Sequence, residues 1–121
     1  MLITVGFHLP TARPAAWMKR FDVTVMPSTV EGFGLTVVES MACGVPVAAF
    51  DAPAVNEIIT HAETGLLANP AEKGSLMAAA FRLLHEPELH QKIQTQARQL
   101  AADRYSTARM VSEYDRVLWQ L

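Results

Sequence analysis

From Val23 to Ala68 short apolar runs alternate with segments of helical period, and this alternation restricts the fold more than any other feature of the chain. The runs "VTVM" at 23–26 and "VPVAAF" at 45–50 have strand length, and Leu66 to Ala68 gives a brief third strand after a tight turn at Gly65. Between the first two, Leu35, Val38, Met41 and Ala42 recur at helical spacing, so a helix is expected from about Leu35 to Cys43. Gly44 suits the left-handed residue that closes a helix, and Pro46 forbids its continuation. A further short helix is expected near 54–60, beyond the "DAPAVNE" loop. Upstream, "LITVGF" at 2–7 reads as a strand, Pro10 and Pro14 break the chain, and Ala16 to Asp22 reads as a short helix burying Trp17 and Phe21. Strands and helices in this alternation give an α/β fold, a parallel sheet flanked by helices. Ligands in such sheets gather at the carboxyl ends of the strands, which is where Pro27 to Gly34 falls.

The last third is helical throughout. From Glu72 to His85, Leu76, Ala79, Ala80, Leu83 and Leu84 form one apolar stripe; Glu86-Pro87 ends it, and Leu89, Ile93, Ala97, Leu100 and Ala101 form another. Ser106 is a good N-cap for a final segment with Met110, Val111, Tyr114, Val117 and Leu118 on one side, extended by Trp119 and Leu121. At 121 residues, 50% of them hydrophobic, residues 1–121 suit one domain with a single core.

A net charge of -2 with scattered basic residues gives no case for nucleic acid or an anionic membrane. The apolar runs stop well short of the roughly 20 residues of a membrane span, and the N-terminus lacks a signal-peptide pattern, so a cytoplasmic location is expected. Cys43 is the only cysteine, which rules out an internal disulfide and suits a small core residue. His61, His85 and His90 suit surface or turn positions with no zinc-ligand spacing, whereas His8 follows the strand near Gly6 and is placed to edge a pocket. Glu57 reads as a helix-start acid.

Chemistry concentrates in "PSTVEGFGLTVVE", Pro27 to Glu39, between a strand and a helix. The first turn of a helix carries unpaired N–H groups and a partial positive charge, which together accept an anion without a basic side chain. Gly32 and Gly34 would let the backbone approach that anion closely. Glu31 and Glu39 are separated along the axis by roughly 6 to 9 Å if helical, enough to flank a sugar nucleotide and accept bonds from its hydroxyls. The same residues also suit a plain structural role, the acid stabilised by the helix dipole and the glycines shaping a turn.

The string "PSTVEGFGLTVVESMACGVPVAAF" resembles the signature of retaining glycosyltransferases of the large family-four type, PS-x-x-EGFG-L-x-x-x-E-A-M-A-x-G-x-PV, including its E-x7-E pair. "NEIITHAETGLLANP" is similar to the family's E-I-[IV]-x-x-x-x-x-G-[LF]-L-[VA]-x-P segment, and "RYSTARMVSEYDRVL" to its terminal F-S-W-x-x-x-x-x-x-x-Y helix. "VGF" and "RFDVTVMPS" resemble the elements before the signature, so the likeness runs the length of the chain. It implies the Rossmann-like C-terminal, donor-binding domain of a GT-B fold, present in part. It further implies transfer of a sugar from a nucleoside-diphosphate sugar with retention of configuration, without cofactor or obligatory metal; the sequence has no D-x-D pair. Glu39 would then bond the ribose hydroxyls, and Glu31, at the reacting centre, the donor sugar's hydroxyls. Gly32, Phe33 and Gly34 would line the sugar pocket, the amides of Leu35 and Thr36 would cradle the distal phosphate, and Ser28 and Gly6 would border base and ribose. Stabilising the departing diphosphate is the main electrostatic task.

Against the family pattern these 121 residues are expected to be part of such an enzyme: no stretch of them resembles the N-terminal domain, which carries the acceptor site, or the upstream Arg and Lys pair that neutralises the diphosphate, and Lys19 and Arg20 stand in the wrong place to replace that pair. Asp51-Ala52-Pro53 stands where a glycine pair is usual, which makes that loop's backbone less free. A fragment of a transferase with little turnover of its own is therefore expected, the alternative being a noncatalytic remnant that binds a nucleotide or a partner chain. The apolar side around Tyr114, Leu118 and Trp119 is expected to drive self-association in the absence of the other domain.

Overall fold

The computed structural model describes residues 20–29 and 34–106, together with Arg116. Three strands, β1 (Thr24–Met26), β2 (Val47–Phe50) and β3 (Leu66–Ala68), form a parallel sheet in the order β1-β2-β3. Thr24 pairs with Val47 and Met26 with Ala49; Ala48 pairs with Leu66 and Phe50 with Ala68. Parallel neighbours need crossovers, supplied by α1 (Leu35–Ala42) and the single-turn α2 (Val55–Ile58). Two further helices follow, α3 (Ser75–His85) and α4 (Pro87–Arg104), parted at Glu86 as Pro87 requires.

Side chains of a strand alternate between faces, and β2 divides the core accordingly. Val47 and Ala49 pack with Val37, Val38 and Met41 of α1, Val55 and Ile58 of α2, and Ala97 and Ala101 of α4. Ala48 packs on the other side with Leu66 and Ala68 of β3, Ala79, Ala80 and Leu83 of α3, and Ile93 of α4. Small residues on β2 let helices approach from both sides. α4 joins both clusters and is bonded at the amino ends of the strands, where His90 Nε2 donates to the carbonyl of Asp22 (3.0 Å) and Gln94 Nε2 to that of Gly44 (2.9 Å).

Local boundaries differ from the sequence reading where side chains or prolines redirect hydrogen bonds. Phe21 and Asp22 are not helical, so the expected Ala16 to Asp22 helix does not reach its end. β2 starts at Val47 rather than 45, because Val45 N–H turns back to the carbonyl of Ser40 (3.0 Å) and Pro46 has no N–H to give. The second helix stops at Ile58, since Ile59 is already extended (φ -95°, ψ 125°). α3 opens at Ser75, not Glu72: Asn69 Oδ1 accepts from Ala71 N–H, Ser75 Oγ donates to the Asn69 carbonyl, and the chain enters through Gly74 at φ 82°. Gly44 does take the left-handed form (φ 76°). The strand at 2–7, the start of the Ala16 helix and the apolar side of the final segment lie outside the described residues, as does His8.

Candidate functional site at the carboxyl edge of the sheet

The carboxyl ends of the strands open into 27–34, 51–54 and 69–74, so these loops share one rim. Ser28 is half-buried just beyond β1. Gly34 is buried and caps α1 in the left-handed conformation (φ 78°, ψ 35°), with no side-chain capping bond and no acid in the helix's first turn. Leu35, 58% exposed, and Thr36, also exposed, follow it. By helical geometry the N–H groups of Leu35, Thr36 and Val37 lack an intrahelical acceptor, and the first such bond runs from Val38 N–H to the Gly34 carbonyl (3.2 Å). An uncapped, solvent-facing helix start of this kind attracts an anion. Lys73 is the one basic residue in the described parts of the three loops, which also carry Asp51 and Glu72, so an anion there would rely chiefly on the helix-start amides.

Glu39 lies one turn further along. At 100° per residue it falls at the centre of the arc of Ala42, Leu35 and Thr36, the exposed side of α1, and is itself half-buried. Its carboxylate has no hydrogen bond or ion pair among the described residues. Its neighbour Ser40, about 100° round the helix, is fully buried. Ser40 Oγ donates to the Val45 carbonyl (2.9 Å), so the 2.7 Å contact between the Ser40 and Thr24 hydroxyls must be donated by Thr24. That chain of bonds fixes the rotation of α1 about its axis relative to β1, and with it the direction in which Glu39 faces.

The structure thus brings Ser28, Gly34, Leu35, Thr36 and Glu39 to one rim; Glu31, Gly32, Phe33 and Gly6 lie outside the described residues. Two features of the rim were not read from sequence. Ala54, which caps α2, sits at φ 70° and ψ -47°, a conformation L side chains rarely adopt; nothing about an alanine signals this. A Cβ at position 34 would lie 2.8 Å from Ile58 Cδ1, so α2 packs directly on the α1 start. Two cavities, of about 490 and 720 Å³, lie instead at the α3–α4 junction, among Asp22, Leu83, His85, Pro87 and His90 and around Glu86 to Lys92. They open at the amino end of the sheet, away from the rim. Among the described residues no cluster of His, Cys, Asp or Glu is arranged to hold a metal ion, and no helix is long and apolar enough to cross a membrane.

Residues 3–100 match the family described as Glycosyl transferases group 1. N-acetyl-alpha-D-glucosaminyl L-malate synthase of Bacillus anthracis is 30% identical over 100 residues, covering 83% of this chain and 26% of that protein. D-inositol 3-phosphate glycosyltransferase of Thermomonospora curvata is 35% identical over 91 residues, 74% of this chain and 21% of its own length. Among solved structures, HepE of Anabaena in complex with UDP superposes with a TM-score of 0.81 at 27% identity, over 87% of this chain and 29% of that one. The C-terminal domain of a glycosyl transferase group 1 family protein from Francisella tularensis gives a TM-score of 0.74 at 30% identity, over 85% and 53%. The chain spans about a quarter of the length of the first of these curated relatives.

Proposed function

The chain belongs to the group 1 glycosyl transferases, and on that premise we propose that it carries the donor half-site of an enzyme moving a sugar from a nucleoside-diphosphate sugar to an acceptor with retention of configuration. The observation that carries this reading is the start of α1: an uncapped helix end behind a left-handed glycine, with Glu39 central on its exposed side. The amides of Leu35 and Thr36 receive the distal phosphate and stabilise it as it leaves. Glu39 accepts bonds from the ribose hydroxyls. Glu31 faces the donor sugar, Gly32, Phe33 and Gly34 line its pocket, and Ser28 and Gly6 border base and ribose. No metal or cofactor enters the proposed reaction. The similarity to HepE, solved with UDP and with UDP-glucose, favours a uridine donor. Nucleoside-diphosphate sugars are charged and do not cross membranes unaided, so the proposed setting is the cytoplasm.

Because the chain spans a minor part of its relatives, acceptor binding is assigned to an N-terminal domain, and a noncatalytic remnant that binds a nucleotide or a partner chain is the second reading. Calorimetric titration of UDP, GDP and ADP separates these from a purely structural role for the rim. UDP is expected to bind, and Glu39→Ala to weaken it at least about 10-fold, the worth of a bond to a charged group. Equal binding by Glu39→Ala would remove the ribose role, and turnover by the 121-residue chain at the rate of a full transferase would overturn both the expectation of an incomplete enzyme and the noncatalytic reading.

A further inference from the structure

We propose that Ile58 is a positioning residue for the donor site, acting through Gly34 to set the direction of the first-turn amides of α1. Its functional consequence rests on the donor reading above; its structural content does not. Among the described residues no side chain caps α1 at Gly34, and Leu35 and Thr36 are exposed. Among the described residues, what meets Gly34 is the tip of α2. Ile58 is 6% exposed, and its Cδ1 occupies the space that a side chain at position 34 would need, 2.8 Å from where a Cβ would stand. Glycine is thus required at 34 twice over, by its positive φ and by Ile58.

α2 in turn is held by its approach. Asn56 N–H donates to the Ala52 carbonyl (3.0 Å), Asn56 Nδ2 donates to Asp51 Oδ1 (3.1 Å), and Ala54 holds a rare backbone conformation between them. The loop after β2 therefore controls a helix end that belongs to the loop after β1. A lateral apolar contact does here what a capping side chain does elsewhere, without using a hydrogen bond to the first-turn amides.

Ile58→Val deletes only the methyl that meets Gly34, and Ile93→Val, at a 0% exposed site in the opposite cluster, is its control. Both variants are expected to lower the melting temperature alike. Only Ile58→Val should shift the Leu35 and Thr36 amide resonances, speed hydrogen exchange at Val38 about 3- to 10-fold and weaken UDP about 5-fold, a displaced contact acting at short range. Adding Ile58→Val to Gly34→Ala should restore part of what Gly34→Ala loses, because the new methyl takes the vacated space. Unchanged Val38 exchange in Ile58→Val, or equal change in Ile93→Val, overturns the proposal. So does strict additivity of the 34 and 58 substitutions. If the unmodified chain binds no UDP while Ile58→Val still alters Val38 exchange, the donor reading fails and the positioning of the helix end stands.

Discussion

Thr24 on β1 and Ser40 on α1 are joined hydroxyl to hydroxyl at 2.7 Å, in a chain of bonds that ends on the Val45 carbonyl. Ser40 stands where the resembled signature has alanine, a side chain that could not make this link. Ser40→Ala leaves both Thr24 and Val45 short of a partner and is expected to cost about 1–3 kcal/mol. Thr24→Val combined with Ser40→Ala removes the orphaned hydroxyl and should recover part of that loss. Urea unfolding of the two single variants and the double variant measures it; additive costs would show that the hydroxyls do not act as a pair.

Glu39 separates stability from binding. With its carboxylate unpaired among the described residues, Glu39→Ala should change unfolding free energy by less than about 0.5 kcal/mol. Its effect on UDP affinity should be at least about 10-fold. A large loss of stability would make Glu39 a structural residue.

Ala54 stores backbone strain at the rim. Ala54→Gly is expected to stabilise the chain by about 1 kcal/mol, relief of the positive φ outweighing the extra entropy of glycine in the unfolded chain. That corresponds to roughly 3–5 °C in a thermal melt of a chain this size. A fall in melting temperature would show that the alanine side chain's packing outweighs the strain.

Arg82 and Glu86 form an ion pair at 2.9 Å on α3 and its exit, with side chains 48% and 49% exposed. Solvent screens such a pair, so Arg82→Ala should cost no more than about 0.5 kcal/mol, and less at high salt. A larger, salt-insensitive loss in denaturant titrations would contradict this.

How far the molecule is legible in its sequence depends on how local the determinants are. β3 runs from Leu66 to Ala68 as read, since Gly65 and Asn69-Pro70 bracket it, and α1 closes at the Gly44 turn. β2 and α3 start later than the sequence pattern places them because Ser40 and Asn69 draw nearby backbone groups away from regular pairing. At the site, Gly34, Leu35, Thr36 and Glu39 were legible as a motif, because a helix end and its spacing are properties of adjacent residues. The contact of Ile58 with Gly34 was not, since it depends on how two crossover connections pack, and Ala54 carries no marker for its backbone.

β2 lies between two strands and is buried on both sides, Val47 and Ala49 in one cluster and Ala48 in the other. The two halves of the core are therefore coupled through β2. The amides of Ala48 and Ala49 should exchange more slowly than those of the loops at the carboxyl edge, which can open locally while the sheet stays paired.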